Sequence, residues 1–180
     1  NYVRAILEDP KGNLWLGTEK TGLNYYDFQT KSIINYTHSQ GNTNSISSNK
    51  VRSLAMDNSN RLWIGTVDGL NVFSKESNSF FKISDNGTGD KFLSNKIIFS
   101  IAKDKFGQIW AGSWQNGLNR IVYKDSKNYS IEKIYKKHGN QYGLSSNVIT
   151  FIYADDLYPE VFVGTDNGLN HIFLRLYLKP

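Results

Sequence analysis

One stretch, Arg61-Leu-Trp-Ile-Gly-Thr-Val-Asp-Gly-Leu-Asn-Val-Phe73, occurs in four copies and limits the possible folds more than any other feature. The others are Leu14-Trp-Leu-Gly-Thr18 with Gly22-Leu-Asn24, Ile109-Trp-Ala-Gly-Ser113 with Gly117-Leu-Asn119, and Val161-Phe-Val-Gly-Thr165 with Gly168-Leu-Asn170. Aligned on Gly17, Gly65, Gly112 and Gly164, they step by 48, 47 and 52 residues. A period in that range belongs to propeller blades or solenoid units.

Each copy reads as four short strands. Residues 3–7, 51–56, 98–102 and 149–153 are mostly apolar, as a strand near the centre of a packed structure should be. A tight turn follows, with an Asp eight residues before the repeat glycine in every copy: Asp9, Asp57, Asp104 and Asp156. An Asp that opens a turn accepts backbone N–H groups and closes the hairpin. Gly12, Asn60 and Gly107 stand where the turn needs positive φ. Pro159 stands there in the fourth copy, so that hairpin is expected to differ.

The second strand carries Trp15, Trp63, Trp110 and Phe162, each two residues before its glycine and so on the same strand face. A ring filling the space beside a residue without a side chain implies sheets stacked face to face. The third strand opens on Gly-Leu-Asn, and the fourth spans residues 32–36, 80–83, 130–135 and 174–178; residues 175–180 have no counterpart elsewhere. Polar loops 37–50, 84–95 and 136–147 end on Ile46-Ser-Ser-Asn49, Leu93-Ser-Asn95 and Leu144-Ser-Ser-Asn147. No helical periodicity intervenes. The expected fold is all-β, a β-propeller fragment of about four four-stranded antiparallel blades. It forms a single partial propeller domain over residues 1–180, with blades near 1–37, 48–84, 95–137 and 147–178.

Composition narrows the function. Hydrophobic residues at 39% and charged residues at 21% make a globular chain. Without Cys there are no disulfides or thiolate metal sites. The net charge is +5, but basic residues come singly and cluster only at Lys133, Lys136 and Lys137, so no nucleic-acid partner is expected. No apolar run approaches a membrane span, so no membrane contact is expected within this segment. His38, His138 and His171 show no ligand spacing, and neither a metal nor a cofactor is expected. The chain starts inside a repeat; self-association, or further blades of a longer chain, is expected to cover its open ends.

These residues carry a specific resemblance. Asp-x-x-Gly-x-x-Trp-x-Gly-Thr, then Gly-Leu-Asn, with Leu-Ser-Ser-Asn before a blade, resembles the two-component regulator propeller repeat over essentially residues 1–174. That family builds the periplasmic sensor regions of hybrid histidine-kinase/response-regulator proteins. The resemblance implies a non-catalytic periplasmic sensor of glycan-derived oligosaccharides that regulates polysaccharide utilisation, with the histidine kinase elsewhere in the parent protein. It transfers no binding motif residue by residue.

Two other readings stay open: a carbohydrate-active propeller enzyme and a structural, protein-interaction propeller. The hairpin also resembles the Asp-box of sialidase-type propellers, but its spacing is one residue longer. A glycosidase needs two carboxylates about 5–10 Å apart, and Glu19, Asp68 and Asp166 follow the repeat glycine at similar places. For a ligand, the loop between strands two and three shares a face with the inter-blade loops. Trp114 breaks the repeat there, standing where Glu19, Val67 and Asp166 stand, and it belongs to no packing pattern. The candidate oligosaccharide site is therefore Trp114, Gln115 and Asn116 with His138 and Tyr142 on the next loop, and Glu19 at the equivalent loop of the first repeat.

Overall fold

The computed structural model describes residues 2–83, 88–136 and 143–174. Blade one is β1 (Val3–Glu8), β2 (Leu14–Thr18), β3 (Leu23–Asp27) and β4 (Ser32–Tyr36). Blade two is β5 (Val51–Met56), β6 (Leu62–Thr66), β7 (Gly69–Ser74) and β8 (Ser79–Ile83). Blade three is β9 (Ile98–Lys103), β10 (Ile109–Ser113), β11 (Leu118–Tyr123) and β12 (Tyr129–Ile134). Blade four shows β13 (Ile149–Ala154), β14 (Glu160–Thr165) and β15 (Gly168–Phe173). Within each blade the strands pair antiparallel in chain order. The strand expected at 174–178 lies outside the described residues except for Leu174, whose N–H donates to Pro159 O at 2.7 Å.

The first strands β1, β5, β9 and β13 stand side by side, so the blades converge on that edge. One apolar cluster fills each gap between blades: Trp15 with Val51, Ile64 and Phe73; Trp63 with Ile98, Ile101 and Ile121; Trp110 with Ile149, Ile152 and Val163. All three Trp rings are buried. Burial of this size stabilises by about 2–3 kcal/mol per ring. Phe162 faces away from blade three on the outer face of blade four, beside the exposed Phe151, Tyr153, Leu169 and Phe173.

The repeat glycine has a different reason from the one expected. Its hole is not filled by the Trp two residues earlier but by the next blade's first strand. A Cβ added at Gly17 would lie 2.6 Å from Val51 Cγ1, and one at Gly112 would lie 2.3 Å from Ile149 Cγ2. At Gly65 it would meet Ser53 Oγ at 2.5 Å and Ile98 Cγ2 at 2.9 Å. The β-branched residue that opens one blade is thus a knob seated on the glycine of the blade before.

The Asp residues do more than close turns. Asp57 accepts the backbone N–H groups of Ser59 and Arg61, the Arg61 Nε–H at 2.7 Å and the Trp63 Nε1–H at 3.0 Å. Asp104 does the same for Phe106, Gln108 and Trp110. In blade one Tyr25 replaces Trp as the aromatic donor to Asp9, at 3.1 Å. Burial pushes the Asp9 carboxyl up, but the N–H groups of Asn13 and Lys11, with Tyr25, hold it below its ordinary value. Blade four corrects the sequence alignment: its hairpin is one residue longer, and Asp155, not Asp156, accepts the turn N–H groups of Leu157 and Tyr158. Asp156 pairs instead with Lys103 on blade three. Gly12, Asn60 and Gly107 have positive φ, as their positions require.

Two predictions follow from this packing. Gly65→Val should cost about 3 kcal/mol through overpacking against Ile98, whereas Gly164→Val should cost less than about 1 kcal/mol, because a Cβ there meets nothing closer than 3.3 Å. Equal losses in the thermal melts of the two variants would refute the knob-and-hole account. Asp57→Ala should cost about 2–4 kcal/mol by leaving buried donors unpaired, while Asp156→Ala should cost about 0–1 kcal/mol. Denaturant titration of both variants tests the reassigned role of Asp155.

Candidate functional site

Seating the knob forces an irregularity. Val51 points to blade one and Ser53 to blade two's outer neighbour, so the two-residue alternation of a strand must shift phase between them. The register accordingly slips in every first strand: between Val3 and Ala5, Val51 and Ser53, Ile98 and Ser100, and Ile149 and Phe151. Arg4, Arg52, Phe99 and Thr150 are the bulged residues. Bulges release a side chain from the ladder and re-aim it, and they are common beside binding sites.

The bulges lie next to the loops between strands two and three, which are tied back to the strand starts by Glu19 N–H to Tyr2 O, Val67 N–H to Lys50 O and Trp114 N–H to Ile97 O. The Gly-Leu-Asn and Ser-Asn motifs fasten the inter-blade loops to the same face. Asn71, Asn119 and Asn170 accept the N–H groups of Ser47, Ser94 and Ser145. Those serines pair in turn with Thr66, Ser113 and Thr165. Gly22, Gly69 and Gly117 donate backbone N–H to Asn49, Lys96 and Asn147 of the following loop. Buried Ile46, Leu93 and Leu144 anchor each loop from below. The loops of this face therefore sit on a hydrogen-bonded frame.

A continuous row of side chains crosses this face from blade one to blade three. Arg4 Nε donates to Glu19 Oε2 at 2.8 Å, and Arg52 grips both Glu19 oxygens at 2.9 and 3.2 Å. The Arg52 guanidinium lies over the Phe99 ring at 5.6 Å, and Phe99 stacks on Trp114 at 5.0 Å with 27° between planes. Arg4 above all, with Arg52, keeps the Glu19 carboxyl below its ordinary pKa against some burial. Glu19 is thus ionised at neutral pH and occupied as an acceptor, unsuited to donating a proton as a glycosidase acid must. Asp68 pairs with Lys96 at 3.0 Å.

The structure brings two expected site residues, Glu19 and Trp114, into one row through Arg52 and Phe99. Trp114 does have a packing partner, contrary to expectation; its ring rests on Phe99 and remains 38% exposed. Asn116 accepts from Asn95 Nδ2, which also holds Trp114 O, both at 3.1 Å. Gln115 is exposed, at positive φ, and serves as the turn residue of that loop. His138 and Tyr142 lie outside the described residues. Sequence reasoning missed Arg4, Arg52 and Phe99, because a bulge leaves no mark in an apolar strand pattern. Their signal was positional: each follows the knob residue directly. Among the described residues no three potential ligands gather as a metal site. His38 contacts Ile46 O at 2.9 Å, and His171 stacks on Phe162.

The opposite face carries a cavity of about 550 Å³ between blades one and two, lined by Asp9, Lys11, Met56, Arg61 and Lys75 among others. The repeat explains it. Six residues after the Gly of Gly-Leu-Asn stands Tyr123 in blade three, edge-on to Trp63 at 5.0 Å and covered by Arg61. Blade four has Leu174 there, packed with Trp110. Blade two has Lys75, which reaches Tyr25 and leaves the gap open. Lys75→Tyr should therefore fill the gap and raise stability by about 1 kcal/mol, measured by thermal melting; a lower melting temperature would show that the gap is not a filling defect.

Fold and face define the class: blades of a β-propeller, with a loop face tied to the strands by hydrogen bonds. The two component regulator propeller model matches residues 1–20, 45–68 and 92–115. These three stretches, at the starts of blades one to three, are copies of that family's repeat. It is similar to histidine kinase P4 of Formosa agariphila, with 31% identity over 158 residues, 87% of this chain and 11% of that protein. Its fold matches the extracellular domain assigned to the hybrid two-component system BT3049 of B. thetaiotaomicron, at TM-score 0.74 and 23% identity, covering 96% of this chain and 24% of that one. Virginiamycin B lyase from Staphylococcus aureus shares the architecture at TM-score 0.59 and 14% identity, covering 97% of this chain and 56% of that one. The chain thus spans a minor part of the first two proteins it resembles.

Proposed function

We propose that this chain is a non-catalytic part of the extracytoplasmic, periplasmic sensor region of a hybrid two-component protein. On this reading its loop face takes a glycan-derived oligosaccharide, and the signal regulates polysaccharide utilisation through a histidine kinase elsewhere in the parent protein. The repeat family and the likeness to a histidine kinase support the sensor role. The observation that carries the ligand is Trp114, a half-exposed ring held flat by Phe99 at the end of a row of charged groups. Sugars stack their apolar faces on such rings and hydrogen-bond to the polar groups beside them.

The exposed apolar faces of blades one and four favour a second role, as docking surfaces for further blades or for a second copy. Ile6, Ile33 and Tyr2 are exposed on the first, and Phe151, Tyr153, Leu169 and Phe173 on the last. Such faces associate.

Trp114→Ala should leave the melting transition within a few degrees of the parent and weaken oligosaccharide binding at least tenfold, about 1.4 kcal/mol. Calorimetric titration with a panel of glycan oligosaccharides measures it. Unchanged affinity in the folded variant would remove Trp114 from the site, and turnover of a chromogenic glycoside by the parent chain would replace the sensor reading with an enzyme.

A further inference from the structure

The loop-face row has a charge imbalance that points to the kind of sugar it takes. Glu19 is the acceptor for two guanidinium groups, Arg4 and Arg52, which approach it from neighbouring first strands. Lys50 also acts on Glu19 electrostatically. Three cations thus surround one carboxylate. Glu19 engages Arg52 through one N–H of each Nη atom, and Arg52 Nε is buried without an acceptor among the described residues. Arg4 commits only its Nε to Glu19 and has a side chain 48% exposed. Its Nη fork and the exposed Lys50 side chain therefore face solvent at the blade-one end of the row, across Arg52 from the aromatic end. A guanidinium fork matches the two coplanar oxygens of a carboxylate, or two oxygens of a sulfate, better than it matches hydroxyls.

We infer that the oligosaccharide bound at this face is anionic, carrying a carboxylate or sulfate that docks on Arg4 and Lys50 while a sugar ring lies on Trp114. This rests on the oligosaccharide reading above and adds the charge class. The bulge positions explain why such a site arises here: Arg4 and Arg52 occupy equivalent places in successive blades, and the bulge turns both out of the ladder. Phe99 at the third such place changes the row from cationic to aromatic. The geometry gives a ligand polarity, charged end over blade one and apolar face over blade three.

The test is calorimetric titration of this chain with trigalacturonate, a sulfated galactose trisaccharide and neutral galactotriose at low and high salt, repeated on Arg4→Gln. Expected is binding of at least one anionic probe, at least tenfold tighter than the neutral one and weakened by salt, with the preference lost in Arg4→Gln at an unchanged melting temperature. The two anionic probes separate a uronate from a sulfate site. Equal affinity for neutral and anionic probes would overturn the charge assignment and leave the oligosaccharide reading standing. Absence of binding by any of the three, with the chain folded, would count against both. An unaltered anionic preference in Arg4→Gln would also overturn the assignment.

Discussion

Everything in this structure depends on how closely two twisted sheets approach at one point, where the β-branched residue opening each blade sits on the repeat glycine of the blade before. Packed sheets normally stand about 10 Å apart, with side chains from both faces between them. At Gly17, Gly65 and Gly112 one of those side chains is deleted, and Val51, Ile98 and Ile149 occupy its volume. The wedge lets the blades converge on their first strands. The neighbouring Trp then fills the wider part of the gap, and the Asp of the hairpin satisfies its indole N–H in blades two and three. Knob, hole, ring and cap form one unit. Removing the hole leaves the other three without their geometry.

The bulge is a consequence of that unit rather than an addition to it. The knob must point backward to the preceding blade, while the rest of the first strand must serve both faces in turn. One extra residue per strand reconciles the two demands. That residue is freed from packing, so it can vary without cost to the fold. It does vary: Arg4, Arg52, Phe99, Thr150. Positions fixed by packing and positions open to recognition thus alternate within three residues of chain.

What was legible in the sequence follows the same division. The blades were readable because Trp15, Trp63 and Trp110 recur at a fixed distance from a glycine, and recurrence reports packing. The reason for the glycine was not readable, since its partner lies in another blade some thirty residues on, as Val51 does for Gly17. The fourth hairpin was misaligned because counting back from Gly164 ignores one inserted residue, which only the pairing of Asp155 N–H with Glu160 O exposes. Trp114 stood out as a break in the repeat. Its support by Phe99, and its link through Arg52 to Glu19, required the bulges to bring three blades into one row.

The two faces of the array differ in how the repeat is broken. On the hairpin-turn face, Lys75 replaces an apolar residue that closes the gap in the other two interfaces, and the resulting cavity simply lacks what Tyr123 or Leu174 supplies. On the loop face, the departures are added groups rather than missing ones, and each is held in place: Arg52 by Glu19, Phe99 by Arg52, Trp114 by Phe99 and by Asn95. A binding site needs side chains fixed before the ligand arrives, because affinity is lost to every rotamer that must be immobilised on binding. The Arg4–Glu19 pair at the solvent end of the row contributes only about 0–1 kcal/mol to stability, and Trp114 at the other end keeps 38% of its surface exposed. The loop-face row is thus held in place before any ligand arrives, as the recognition role proposed for it requires.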